Sequence, residues 1–295
     1  AHIGRRVFTF DRTGNSGRGA GSDDGTARMA EGAIEMVALR GVYVIWLREM
    51  IRFVREPMRV VGMVAQPLLY LLLVGNGLAH GFALKSGPGI NYLSFMFPGI
   101  ISMSVLFTSM FSAMSIVWDR EFGFLKEVLV SPVPRYGIAL GKALGGASVA
   151  VLQGALLLLL APLVHVALTW GMYFGMLGIL TLIALALNGL GLLIASRMSS
   201  MQGFQVVMNF LIMPLFFLSG ALYPLRGMPA WLGDLMRVDP LTYGVDALRH
   251  LVYGSGLVAR LMTQFHLSTD LTVISGITVL LLGLSTWAFA GARSQ

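Results

Sequence analysis

Six stretches of this chain are each long and apolar enough to cross the hydrocarbon core of a bilayer, which takes about 20 residues of helix. They run from Pro57 to Leu78, Met96 to Val117, Leu144 to Val164, Tyr173 to Ala195, Phe204 to Pro224 and Leu271 to Ala290. A soluble fold of 295 residues could not hide so much apolar surface. Hydrophobic residues make up 56% of the chain, mean hydropathy is +0.77, and charged residues are only 12%, against roughly 25% in soluble domains. The expected fold class is an all-α polytopic membrane protein with a six-span domain over residues 57–295.

Orientation follows from Lys and Arg, because cationic short loops are held on the cytoplasmic side. Ten arginines from Arg5 to Arg59 precede or open the first span, and Arg120, Lys126, Arg135, Lys142, Arg197 and Arg293 fall on the same side. Only Lys85, Arg226, Arg237, Arg249 and Arg260 fall on the other. Both termini are therefore expected in the cytoplasm. The tryptophans Trp46, Trp118, Trp170, Trp231 and Trp287 sit at or near span ends, where an indole keeps its N–H wet and its ring in the acyl boundary.

Residues 1–35 are Gly/Ser/Arg-rich, lack the apolar core of a signal peptide, and read as a disordered leader. Residues 36–56 differ. Arg48, Arg52 and Arg55 recur at helical spacing while Val44, Trp46, Leu47, Met50, Ile51 and Val54 supply apolar surface. This is the pattern of a helix lying in the membrane interface with cations toward lipid headgroups. The other reading is a plain continuation of the first span, but Pro57 suits the first turn of a new helix and disfavours a helical residue before it.

Several function classes lose support. The net charge of +7 sits on one membrane face, so anionic lipid explains it better than nucleic acid. With no cysteine there is no thiolate chemistry. Gly137–Lys142 is one residue short of a phosphate-loop spacing and is followed by Ala143 instead of a hydroxyl. His2, His80, His165, His250 and His266 are scattered, without a metal-binding spacing. Asp246 and His250 are one helical turn apart and read as a surface pair. Between the span ends the polar residues are the uncharged Gln66, Asn76, Gln153, Asn188, Gln205 and Asn209, read as interhelical hydrogen bonders. Gly141 with Gly145, and Gly171 with Gly175, read as close helix packing. An ion-coupled transporter usually needs a mid-membrane charge, and a membrane-embedded enzyme needs a catalytic cluster; neither pattern is present in the sequence.

One loop stands apart. From Asp119 to Val130 a helix can present Phe122, Leu125, Val128 and Leu129 on one side and Arg120, Glu121, Lys126 and Glu127 elsewhere, with Gly123 between; Pro132 and Pro134 then stop it. An apolar ridge with a charged rim suits a groove on a partner, or a lipid surface.

The stretch REFGFLKEVLVSPVPR from Arg120 to Arg135 resembles the cytoplasmic loop of ABC transporter permeases of the type-2 exporter class. A second match lies at FLSGALYPLRGMPAWL from Phe217 to Leu232 and DPLTYGVDALR from Asp239 to Arg249, which resemble that family's fifth span and re-entrant extracellular helices. The resemblance covers residues 36–290. It implies an exporter permease of drugs, glycolipids or lipooligosaccharides that pairs with a second copy of itself or a related permease, and a coupling helix at Asp119–Val130 that docks a separate cytoplasmic ATPase. ATP and Mg²⁺ would belong to that ATPase, with no cofactor, metal or catalytic residue on this chain. Pro229, Trp231, Pro240, Tyr243, Asp246 and Arg249 would form the re-entrant region. The alternative is a secondary transporter or channel with no ATPase.

Overall fold

A computed structural model of the chain describes residues 22–86, 92–122, 134–164, 166–223, 228–254 and 262–291. Every regular element among them is helical: α1 (Ser22–Arg55), α2 (Pro57–Ser86), α3 (Tyr92–Ser112), α4 (Met114–Glu121), α5 (Arg135–Leu158), a 3₁₀ turn (Ala161–Val164), α6 (Trp170–Ala195), α7 (Met201–Leu218), α8 (Ala230–Val238), α9 (Pro240–Tyr253) and α10 (Leu267–Gly291). Among the described residues five helices meet the length and hydropathy a membrane crossing needs; the expected first span, Pro57 to Leu78, is not one of them by itself, and the count is six when the bent pair α1–α2 is taken as one span. The break falls at Glu56, as Pro57 requires, and the helices either side of it, Ala38–Arg55 and Val60–Gly75, are inclined by 71°. α1 begins at Ser22, ahead of the expected start at Met36, while residues 1–21 lie outside the described residues.

α3 is the axis of the bundle. It packs against α2, α5, α6, α7 and α9 and is buried on nearly every side. A helix apolar all round belongs in such a position. α4 continues α3 after a single turn residue, Ala113. The remaining long packing seams are α6 against α10 and α1 against α5. Gly141 and Gly145 explain the second: a Cβ on Gly141 would sit 2.9 Å from Ile45 Cβ, and one on Gly145 would sit 2.9 Å from Glu49 Cγ. Small residues at four-residue spacing let the helices approach. Gly175 likewise faces Leu251, but Gly171 has open space around it, so that pair is not a packing motif.

α7 and α10 are only lightly buried, in contrast with α3. Along α7 the side chains of Val206, Phe210, Met213 and Phe217 are exposed, and Gln205 and Asn209 lie exposed among them. Trp118, Trp170, Trp231 and Trp287 are exposed at helix ends, as the sequence predicts. Trp46 departs from it: its indole N–H donates to Ser148 Oγ at 3.0 Å and so fastens α1 to α5.

Candidate functional site

At the end of the bundle where α4 stops and α5 starts, charged side chains of three helices meet each other and the backbone of the turn between α6 and α7. Lys142 lies in the second turn of α5, its side chain only 5% exposed, with Nζ 2.6 Å from Asp119 Oδ2 and 3.0 Å from Ser115 Oγ. Arg48 of α1 reaches the same Asp119 oxygen at 4.0 Å. The sequence counts Lys142 only among the cations of the cytoplasmic side; in the structure it is buried and paired. A lysine tolerates burial only with such partners.

Arg120 turns the other way. Its guanidinium donates to the carbonyls of Ser196 (3.2 Å) and Met198 (2.7 Å) in the turn between α6 and α7. Glu121 Oε2 accepts from the backbone N–H of Met201, at the first turn of α7, at 2.8 Å. A carboxylate there satisfies an orphan donor and complements the helix dipole. Residues 119–121 thus close α4 and do not open a separate coupling helix, and the helix ends at Phe122, whose ring is 69% exposed and 5.8 Å from that of Trp118. Gly123, Leu125, Lys126, Glu127, Val128, Leu129 and Pro132 lie outside the described residues.

Of the arginines expected at the interface, Arg48 and Arg52 are about half exposed, and Arg52 Nε pairs with Glu56 at 3.3 Å, one turn on. Arg55 is exposed at the helix end. Met36, Leu39, Tyr43, Val44, Ile51 and Val54 are exposed apolar side chains of α1.

Within the bundle the polar residues divide. Gln153 accepts from Thr108 Oγ1 and donates to the carbonyl of Met63 at 2.8 Å, joining α2, α3 and α5. Asn188 donates to Ser109 O and Ser112 Oγ. These two are interhelical, as expected. Gln66 instead lines a cleft with Met63, Tyr70, Met103, Phe107 and Thr108, and Gln205 and Asn209 are exposed on α7. The side chain of Asn76 lies outside the described ones.

At the opposite end, α8 and α9 are too short to cross a membrane. Pro229 caps α8, Trp231 is 65% exposed, and Met236 turns inward. Asp239 caps α9 by accepting from the Leu241 N–H at 2.9 Å, with Pro240 at the first helical position. Burial drives the pKa of Asp239 up to about 8 against the pull of that N–H. Tyr243 stacks on Phe265 at 5.2 Å and donates its hydroxyl to Arg237 O at 2.7 Å.

Arg249 is wholly buried: its guanidinium donates to Gly220 O (2.7 Å) and Ala221 O (3.2 Å), and its carbon lies 4.0 Å from the Phe95 ring centroid. Burial lowers its pKa to about 10, so it stays cationic at neutral pH. Asp246 and His250 are not a surface pair. Asp246 is 2% exposed and accepts the N–H groups of Gln264 and Phe265, while His250 reaches Phe265 O at 2.9 Å and Asp270 Oδ2 at 3.7 Å. Asp270, distant in sequence, was not singled out by any local pattern.

Residues 40–253 match the family described as "ABC-2 type transporter". Among curated relatives, a transport permease, ycf38, of Cyanophora paradoxa is 29% identical over 220 residues, 72% of this chain and 74% of the relative. Nodulation protein J of Rhizobium meliloti is 26% identical over 217 residues (72% and 82%), and the inner membrane transport permease YadH of Escherichia coli is 29% identical over 217 residues (70% and 80%). With most of its length matched by that one family and its bundle built of membrane-crossing helices, the chain is a member of the ABC-2 type transporter family, the membrane subunit of an ABC transporter.

Proposed function

We propose that the chain is the permease subunit of an ATP-driven exporter in the cytoplasmic membrane, both termini in the cytoplasm, moving an amphipathic or lipid-linked molecule such as a drug, glycolipid or lipooligosaccharide outward. A separate cytoplasmic ATPase carries ATP and Mg²⁺, and a second copy of this chain or a related permease completes the path.

The observation that carries this reading is the platform around the 123–133 loop. Asp119, Arg120, Glu121 and Lys142 all spend their charges within the chain, so the loop leaves and re-enters on anchored helices. A force applied to it reaches α5 through Asp119–Lys142, α1 through Arg48, and the α6–α7 turn through Arg120 and Glu121. Glu121 is thereby an internal strut, and Glu127 is the acid left to meet the ATPase. Phe122 is exposed, and the sequence pattern expects Leu125 and Val128 on the same apolar ridge.

The path itself would be lined by the uncharged face of α7, with Gln205, Asn209, Val206 and Phe210, and by the cleft beside Gln66 and Tyr70. Such a mixed surface suits cargo entering from the inner leaflet. The relative named an inner membrane transport permease supports the same membrane for this chain.

The experiment is co-purification. Leu125→Asp with Val128→Asp should leave the permease folded in the membrane yet abolish recovery of its ATPase, because buried unpaired charges cost several kcal/mol. Normal ATPase recovery from the double variant contradicts the docking role.

A further inference from the structure

Asp270 stands in the first turn of α10 with its side chain fully buried, and neither carboxylate oxygen has a hydrogen-bond partner. A carboxyl buried in that way is costly to ionise unless something cationic completes it. What faces it is a second carboxylate, Asp246 of α9, together with the imidazole of His250 one turn further along α9, whose Nε2 is 3.7 Å from Asp270 Oδ2 and so beyond hydrogen-bond reach. One ligand atom from each of the three lies within 4.8 Å of the other two.

Arg249, the neighbouring cation, turns Nη2 to the carbonyls of Gly220 and Ala221 and its carbon to the Phe95 ring, and none of its hydrogen bonds goes to either carboxylate. The carbonyl oxygen of Phe265 adds a fourth donor, 2.9 Å from His250 Nε2. That is the separation of adjacent ligands around one metal, because bonds of about 2.0–2.2 Å at right angles put donors roughly 3 Å apart. Opposed ligands of an octahedral ion reach about 4.4 Å on the same bond lengths and neighbours around a tetrahedral one about 3.5 Å, so the side chains close by up to roughly 1 Å when the ion binds. Asp246 is already oriented by the N–H groups of Gln264 and Phe265, the kind of outer hydrogen bond that fixes a metal-ligating carboxylate.

We propose that Asp246, His250 and Asp270, with the carbonyl of Phe265, bind one divalent transition-metal ion of the Zn²⁺ or Mn²⁺ kind and so clamp α9 to the first turn of α10. One imidazole nitrogen among oxygens favours these ions over Mg²⁺ and Ca²⁺, which take oxygen sets. On binding, Nε2 of His250 gives up its contact with Phe265 O to the metal and the ring proton sits on Nδ1, so the imidazole ligates neutral. Of the three side chains His250 is the most exposed, at 18%. The clamp lies at the end of the bundle away from the ATPase-docking loop and does not depend on the cargo.

The test uses the tag-free, full-length chain in mild detergent, stripped with a chelator and desalted. Thermal unfolding is followed by tryptophan fluorescence with ZnCl₂, MnCl₂, MgCl₂ or CaCl₂ added, and retained metal is counted by mass spectrometry. Expected are a saturable rise of several degrees in the midpoint with Zn²⁺ or Mn²⁺, one ion retained per chain, and loss of both in Asp270→Asn and His250→Gln. Asp234→Asn, on exposed α8, should respond like the unaltered chain. No saturable response in the unaltered chain, or equal retention in the variants, overturns the proposal. A stable Asp270→Asn beside an unaltered chain that ignores metal means the two carboxylates share a proton, which also overturns it. Should Asp270→Asn fail to fold, His250→Gln alone decides: undiminished metal retention overturns the site, and its loss supports it.

Discussion

Lys142 Nζ lies 2.6 Å from Asp119 Oδ2, so a buried cation in the third span holds the carboxylate at the foot of the second. The pair joins the two helices that flank the 123–133 loop, and any movement of that loop has to carry both.

Lys142→Met should therefore cost about 3 kcal/mol of stability, since it strands a largely buried carboxylate. Asp119→Asn added to it should lose less than the sum of the two single changes, with a coupling of about 1–3 kcal/mol. Denaturant unfolding in mild detergent measures this. Strict additivity would mean that the contact is incidental.

Arg249 holds the outer end together by two carbonyls and one aromatic face, which a lysine cannot reproduce. Arg249→Lys should lower stability by about 1.5–3 kcal/mol, and Phe95→Leu by about 0.5–2 kcal/mol through the lost cation–π contact. Equal stability of Arg249→Lys and the unaltered chain in thermal unfolding would show that charge alone suffices there.

A Cβ added at Gly233 on α8 would meet no heavy atom within 4 Å, so a cysteine fits there without strain. The chain has no cysteine of its own. A Gly233→Cys variant in intact cells should react with a membrane-impermeant maleimide added outside. Reaction only from the cytoplasmic face reverses the assigned orientation.

The spans were legible because long apolar runs leave little choice of environment, and the α1–α2 break because Pro57 constrains the residue before it. The two short helices α8 and α9 were legible from their proline and aspartate punctuation. What stayed hidden depended on partners far along the chain. Lys142 reads as one more cation of the cytoplasmic side until Asp119 is beside it, and Asp270 carries no local signal at all. Asp246 and His250 looked solvent-facing because a helical turn does not reveal that the 262–266 segment covers them. Arg249 was placed in the right region, yet its burial follows from Phe95, whose contact spans most of the fold. Glu121 was expected to face a partner and instead anchors α7. The same charge pattern serves either role, and only the Met201 N–H decides between them.

Work is held to enter through the 123–133 loop from ATP hydrolysed on another subunit. The most direct test is transport in liposomes reconstituted with the permease, with and without its ATPase, using a fluorescent lipid-linked or amphipathic cargo. Outward cargo movement is expected only with ATPase, ATP and Mg²⁺ together, and it should be lost with Leu125→Asp and Val128→Asp. Cargo movement driven by an imposed proton or sodium gradient, with neither ATP nor ATPase present, would contradict that energy source.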